Sequence, residues 1–368
     1  MKLVVLGLSL SSSWGNGHAT TFRALLAAFA ARGHEVLFLE RDVPWYAAHR
    51  DLAEPGFCRL AYYDSLAGLE QWRGEIAAAD AVMVGSYVPD GVAVGAFVQD
   101  AARGVTCFYD IDTPVTLAAL DRGECEYLSS EVLAGYDLYC SFTGGPTLAR
   151  LERDYGARAA RALYCSVDTA LYRPLETAKR WDLTYLGTYS PDRQPTLDRL
   201  LVEPARARPD LRFAVAGPRY PAEIEWPANV ERIEHLPPSE HAGFYSASRF
   251  TLNVTRADMI AAGHSPSVRL FEAGACATAI ISDRWEGIET LFAPGEAIIL
   301  ADSAVEVIAA LGRPARAIGK AARKAVLDGH SAAARAGQFE ADLAAAIAGR
   351  TETNNNDKAG AADRRAMA

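Results

Sequence analysis

Short apolar runs alternate with amphipathic helical patterns along this chain, and the alternation starts twice. In the first pass Leu3–Leu8, Glu35–Leu39, Arg59–Tyr63, Ala81–Gly85, Thr106–Tyr109, Leu138–Ser141 and Arg161–Tyr164 read as strands. Helices read over Thr20–Arg32, Leu66–Ala79 and Gly91–Arg103; in the first, Phe22, Leu25, Leu26 and Phe29 recur at helical spacing before Gly33. A polar stretch follows, Tyr172–Trp181. The pattern then resumes with strands Leu183–Leu186, Phe213–Ala216, Val230–Ile233, Phe250–Val254, Ala279–Ser282 and Ala297–Leu300. Helices Gln194–Leu201, Ser239–Ala247, Ser267–Ala275 and Ser303–Leu311 lie between and after them. Strands apolar on both faces and separated by helices predict parallel sheets with crossover connections. Two passes predict an α/β chain of two Rossmann-like domains, 1–167 and 168–349. At about 150 residues per domain, the 368 residues agree. Ala-rich helices over Pro314–Leu327 and Ser331–Ala348 close the second domain, and 350–368, with its Asn354-Asn355-Asn356 run, is expected to be a disordered tail.

Charge and composition narrow the function. A formal charge of −9 argues against a protein whose main task is gripping nucleic acid or an anionic membrane. No apolar run reaches the roughly 18 residues of a membrane span, and Asp42–Asp51 is not a basic amphipathic helix, so stable membrane insertion is not expected. The N-terminal run Met1–Gly7 reads as a buried first strand rather than a signal peptide. Cys58, Cys107, Cys125, Cys140, Cys165 and Cys276 form no C-x2-C pair and no zinc spacing, which fits a reducing, cytoplasmic setting. Trp14, Trp45, Tyr46 and Trp72 read as core residues or acceptor-site walls.

Three segments carry candidate chemistry. Gly15-Asn16-Gly17-His18 opens the first helix and, with Glu40 ending the second strand, resembles half of a dinucleotide fingerprint. Thr20 replaces the third glycine and a long loop precedes the first, so phosphate or sugar contact at a helix N-terminus, NAD binding and a plain structural loop all remain open. Asp110-Ile111-Asp112-Thr113-Pro114 follows a strand at the edge where α/β sheets bind ligands. It fits substrate contact, an acid–base role, a metal site or an ordinary turn. The third segment runs from His264 through Ser265, Ser267, Arg269 and Glu272 to a buried strand. Ser267 can cap a helix whose first turns hold a phosphate with Arg269 and a ribose with Glu272; the alternative is a core helix with one polar residue.

The order of these segments resembles the GT-B glycosyltransferases. Tyr164-Cys165-Ser166-Val167-Asp168 through Arg173-Pro174 is similar to their interdomain crossover, and Asp182–Arg193 and Ala214–Gly217 match the first two strand ends of their second half. Asp110–Pro114, Ser141–Pro146 and Ser265–Glu272 look like the spore-maturation-protein (CgeB-like) group. The resemblance implies two Rossmann-like domains facing a cleft, a nucleotide-sugar donor, a small-molecule or glycan hydroxyl acceptor, and chemistry without a metal ion or cofactor. It places Gly187 and Arg193 near the diphosphate, where Arg256 could help, and counts Tyr189 and Gly217 among the donor-binding residues. Ser265, Ser267 and Arg269 line the donor phosphates or sugar, Glu272 holds the ribose, and Gly15, Asn16, Gly17 and His18 close over the diphosphate and acceptor. Many retaining members carry Glu-x7-Glu ending at the position of Glu272; the first position here is His264, whose imidazole can hydrogen-bond a sugar hydroxyl. If the enzyme inverts, Asp112, Asp110 or His18 is the base; if it retains, the donor phosphate assists a same-face reaction. A nucleotide-sugar epimerase of the same fold and a non-catalytic nucleotide- or glycan-binding protein are the alternatives.

Overall fold

The computed structural model describes residues 1–14 and 17–366, with the backbone alone over 351–366. Seven strands form the first sheet: β1 (Lys2–Gly7), β2 (Glu35–Arg41), β3 (Arg59–Tyr63), β4 (Ala81–Gly85), β5 (Val105–Asp110), β6 (Leu138–Ser141) and β7 (Ala160–Ala162). Six form the second: β8 (Trp181–Leu186), β9 (Phe213–Ala216), β10 (Val230–Ile233), β11 (Ser248–Asn253), β12 (Ala279–Ser282) and β13 (Ile299–Leu300). Their orders are β3-β2-β1-β4-β5-β6-β7 and β10-β9-β8-β11-β12-β13, and all pairs are parallel. The all-apolar strands are explained by burial on both faces. On β1, Leu3 and Val5 enter one core while Val4 and Leu6 enter the other. In each sheet the strand order reverses beside the first strand, at β1/β4 and at β8/β11. The crevice outside the carboxyl ends at such a point is where open α/β sheets bind ligands.

Several elements depart from the expectation. The helix expected over 66–79 is two short pieces, Ala67–Trp72 and Arg73–Ala77. Helices Thr113–Asp121, Ser130–Gly135 and Ala257–Ala262 lack the apolar periodicity that would have revealed them, whereas Pro146–Asp154 is amphipathic, burying Thr147 and Leu151 four positions apart, and lies outside the expectation. The larger correction concerns the domains. The compact units are Met1–Tyr164 with Arg335–Ala368, and Cys165–Ala334. From Arg335 on, the C-terminal helix, Ala332–Ala366, therefore belongs to the first unit, and its backbone stays helical through most of the stretch expected to be disordered. The reason is a stripe of Ala336, Phe339 and Leu343 that joins the core of the first unit, where Phe339 lies 5.5 Å from Phe29. Gln338 donates to Ala162 O and Arg32 pairs with Glu340, which fix the helix at its flanks.

Candidate nucleotide-sugar and acceptor-side sites

In the first unit the carboxyl edge is organised around two buried acids. Glu40, at the end of β2, is fully buried. Its carboxylate accepts from Leu10 N (2.6 Å), Ser11 N (2.8 Å), Ser11 Oγ (2.6 Å) and Ser9 Oγ (3.3 Å). The acid of a dinucleotide fingerprint must keep its oxygens for a ribose. Here they hold the loop after β1, so the NAD reading is set aside. The same loop is tied by Arg23, which donates to Leu10 O (2.9 Å) and pairs with Asp51, and by Ser12 Oγ, which donates to His49 O (2.8 Å). The Trp14 ring stacks on His49 at 4.6 Å, and Trp14 and Trp45 are both 53% exposed at this edge, whereas Tyr46 is buried.

Asp110 is the second buried acid. Its Oδ1 accepts from Thr116 Oγ1 (2.8 Å) and Asp112 N (3.1 Å), and its Oδ2 from the Tyr139 hydroxyl (2.6 Å). Burial pushes its carboxyl up to about 6 against these hydrogen bonds. A base must reach the substrate proton, and Asp110 has no exposed surface. It shapes the turn that presents Asp112 and is withdrawn as a candidate base. Asp112 is half-buried at the start of helix Thr113–Asp121, and the Tyr87 hydroxyl donates to its Oδ2 at 3.2 Å. Tyr87 adopts a left-handed backbone (φ 63°), rare for a bulky residue, and its ring meets His18 edge-on at 5.4 Å. His18, Tyr87 and Asp112 thus form one cluster. Tyr87 had no sequence signal.

His18 begins helix His18–Ala31, with Gly17 as its N-cap; Gly15 and Asn16 lie outside the described residues. Burial pushes its pKa down from 6.5 to about 4, and its Nδ1 has no hydrogen-bond partner among the described residues. At neutral pH the ring is uncharged, a hydrogen-bonding group rather than a strong base. A histidine whose folded pKa is depressed contributes stability that is complete above its unfolded pKa of 6.5 and is lost as the pH falls toward about 4. Denaturant titrations across that window should show this loss, and His18→Asn should flatten it. An unchanged slope in the variant refutes the assignment.

In the second unit Gly187 follows β8 and Gly217 follows β9. Gly217 has φ 141°, and a Cβ there would collide with Gly187 O, so the two strand ends touch only because residue 217 is glycine. Tyr189 N donates to Pro218 O (3.0 Å) and the Tyr220 hydroxyl to Gly187 O (3.1 Å), closing this corner. Arg193 donates to Thr188 O (2.7 Å), and its buried Nε has no hydrogen-bond partner among the described residues. Arg256 is exposed before helix Ala257–Ala262. Desolvation raises the Asp192 carboxyl, but Ser190, the Ala257 N–H and the charges of Arg256 and Arg193 outweigh it and hold the pKa below the usual range. This acid partly neutralises both arginines.

The third segment forms helix Val268–Ala275. Ser267 caps it, its Oγ accepting from Arg269 N at 3.3 Å. Arg269 and Glu272 are three positions apart and so share one helix face. Glu272 is only 6% exposed and accepts from the Tyr245 hydroxyl at 3.4 Å, while the buried Nε of Arg269 has no hydrogen-bond partner among the described residues. Ser265 is fully buried. His264 has φ 44°, its N–H donates to Glu286 O (2.6 Å), and its ring fills the space where a Cβ on Gly287 would stand. Tyr172, Tyr245, His241 and Glu286 were missed as site residues. Tyr172 stood in the crossover motif; the others carried no signal distinguishable from core or surface. Among the described residues no group of three or more His, Cys, Asp or Glu could hold a metal ion, and no helix is long and apolar enough to cross a membrane.

These two sheets, each with its ligand edge at a reversal of strand order, define the two-domain α/β fold of the GT-B glycosyltransferases. Sucrose-phosphate synthase from Thermosynechococcus elongatus has TM-score 0.65 and 15% identity, over 94% of this chain and 100% of that one. HepE of Anabaena, in complex with UDP and glucose, has TM-score 0.68 and 13% identity over 94% and 100%. A glycosyltransferase from Rickettsia africae has TM-score 0.66 and 12% identity over 94% and 99%. No curated protein sequence matches the chain. Residues 193–341 match a family model described as glycosyl transferase-like.

Proposed function

We propose that this protein transfers a sugar from a nucleoside-diphosphate sugar to a hydroxyl acceptor, in the cytoplasm and without a metal ion or cofactor. The observation that carries the reading is the pairing of Arg269 with Glu272 on one face of a Ser267-capped helix at the carboxyl edge of the second sheet. Arg269, the helix N-terminus and, beside them, Arg193 and Arg256 suit a diphosphate, and Glu272 suits the vicinal hydroxyls of a ribose. Ser265, Ser267 and His264 line the same segment, and Gly187, Tyr189 and Gly217 form the adjoining corner. HepE is described with UDP and with UDP-glucose, which makes a uridine donor the first to test. The resemblance of Asp110–Pro114 and Ser265–Glu272 supports the spore-maturation-protein (CgeB-like) group.

The acceptor oxygen bonds to the anomeric carbon as the bond from that carbon to the diphosphate oxygen breaks. The diphosphate leaves with the electron pair, stabilised by the arginines. In an inverting reaction the acceptor proton passes to Asp112, with His18 as a neutral hydrogen-bonding neighbour. Thermal-shift measurements with UDP-, GDP-, ADP- and TDP-linked sugars test the reading. One donor should raise the melting temperature, and Glu272→Ala should remove that rise. If no donor shifts the melting temperature and none is turned over, the proposal fails.

A further inference from the structure

The carboxyl edge of the first sheet carries a polar cavity beyond the ends of β2 and β3. Its volume is about 460 Å³, within the roughly 300–1,000 Å³ of small-ligand sites. Asp42, Tyr62 and Asp64 line it together with Ala67, Gly68 and Gln71 of the short helix Ala67–Trp72. Asp42 N donates to Tyr63 O (2.9 Å), and Asp42 Oδ1 accepts from Arg50 (2.7 Å). The Arg50 guanidinium lies 4.0 Å over the Tyr62 ring. Asp64 Oδ1 accepts from Ser65 Oγ (2.8 Å), and Gln71 Nε2 donates to Gly68 O (2.9 Å). A Cβ on Gly68 would strike Asp64 Oδ1, so only glycine lets that carboxylate pack here.

Each polar side chain spends one atom on the wall and keeps another. Asp42 Oδ2, Asp64 Oδ2 and Gln71 Oε1 have no hydrogen-bond partner among the described residues. All three are acceptors, and Arg50 already offsets one of the two carboxylates. The cavity suits a ligand that brings several hydroxyl donors and little charge, which is the chemistry of a neutral saccharide.

Two aromatic side chains extend this surface. Trp45 follows β2 and Trp14 follows β1, the strands between β3 and the β4 end that carries Tyr87, and both are half-exposed. One segment joins them to the cavity. Trp14 stacks on His49, His49 Nδ1 lies 2.8 Å from Trp45 O, and the next residue is the Arg50 that covers Tyr62. A pyranose presents a flat C–H face that stacks on an indole while its hydroxyls bond at the rim. From β3 to β4 the sheet order counts three strand steps, roughly 14 Å at the usual spacing. One sugar ring cannot span that distance; a short oligosaccharide can.

We propose that this cavity is a second saccharide subsite, and that the acceptor is a neutral oligosaccharide whose far end it holds while Trp45 and Trp14 stack the units between. The acceptor part rests on the glycosyltransferase reading; saccharide binding does not. The carboxylates of Asp42, Asp51 and Asp64, set against Arg23 and Arg50, disfavour an anionic lipid surface as the partner of the two tryptophans.

A glycan array of neutral and acidic oligosaccharides, probed with the full chain and no donor, tests the subsite. Neutral tetrasaccharides should bind, and their monosaccharides should bind about tenfold more weakly or worse. Calorimetry with the best tetrasaccharide then compares variants. Asp64→Ala removes an acceptor that is charged and should raise Kd roughly ten- to hundredfold. Ala67→Trp fills the cavity from an exposed position and should do the same without lowering the melting temperature. Trp45→Ala should cost roughly two- to tenfold. The subsite is overturned if no neutral oligosaccharide binds, or if Kd is equal in the native protein, Asp64→Ala and Ala67→Trp. Binding to phosphatidylglycerol–phosphatidylcholine vesicles that Trp14→Ala and Trp45→Ala abolish, with no oligosaccharide bound, makes the edge a lipid surface and overturns it too. Oligosaccharide binding in a protein that turns over no nucleotide sugar supports the subsite and fails only the transferase reading. Transfer to a monosaccharide with the kcat/KM of the tetrasaccharide overturns the extended acceptor.

Discussion

Arg269→Ala should lower kcat/KM for sugar transfer by about a hundredfold to a thousandfold, the cost of removing one preorganised group from a developing anion, while leaving the protein folded. Arg269 sits in the first turn of helix Val268–Ala275, where the backbone N–H groups already favour an anion. Its buried Nε has no partner among the described residues. A buried guanidinium nitrogen left unpaired costs free energy unless something arrives to accept from it, and a diphosphate oxygen is such an acceptor. The loss should fall mainly on kcat, because the charge it offsets grows as the bond to the diphosphate breaks. Arg269→Lys keeps the charge but not the planar fork and should recover only part of the rate. Steady-state kinetics on whichever donor the thermal-shift panel identifies make the comparison. Equal kcat/KM in Arg269→Ala and the native enzyme would remove this helix from the reaction.

Glu40→Ala is expected to have the largest effect on stability, about 3–5 kcal/mol. The substitution orphans three donors at once, the Leu10 and Ser11 backbone N–H groups and the Ser11 hydroxyl, while Ser9 Oγ keeps Ser12 O at 3.0 Å. All the loop serines concerned, Ser9, Ser11 and Ser12, are buried, so water cannot readily replace the carboxylate. For a chain of this size the loss amounts to a fall in melting temperature of about 4–6 °C. Glu40→Gln keeps the shape and one acceptor oxygen, and the serine hydroxyls can turn to accept from its amide, so it should cost about 1–2 kcal/mol. Denaturant unfolding of both variants reads the difference. Equal, small losses would show that the loop does not depend on the carboxylate.

Much of the architecture was legible because it depends on local pattern. Leu3–Leu8 had to be a two-sided buried strand, and the restart after Asp168 required a second sheet. Ser267, Arg269 and Glu272 could be assigned to one helix because capping and helical spacing act within a few residues. What escaped depended on contacts between distant segments. Asp110 and Asp112 look equivalent on the page, yet Tyr139 and Thr116 bury the first and the turn presents the second. Glu40 looked available for a ligand until the loop at Ser9–Ser11 closed on it. The helical stripe Ala336, Phe339 and Leu343 was visible, but periodicity does not say which core receives it.

The sequence by itself therefore determined the two parallel sheets, their carboxyl edges, and the helix that carries Arg269 and Glu272. Apolar period, caps and strand ends are properties of neighbouring residues. Only the tertiary structure decided which acids are buried by their partners, that the last helix returns to the first unit, and that the Tyr245 hydroxyl meets Glu272. Burial and hydrogen-bond partnership depend on segments far apart in the chain, and the free energy of a buried charge is set by those partners rather than by its sequence neighbours.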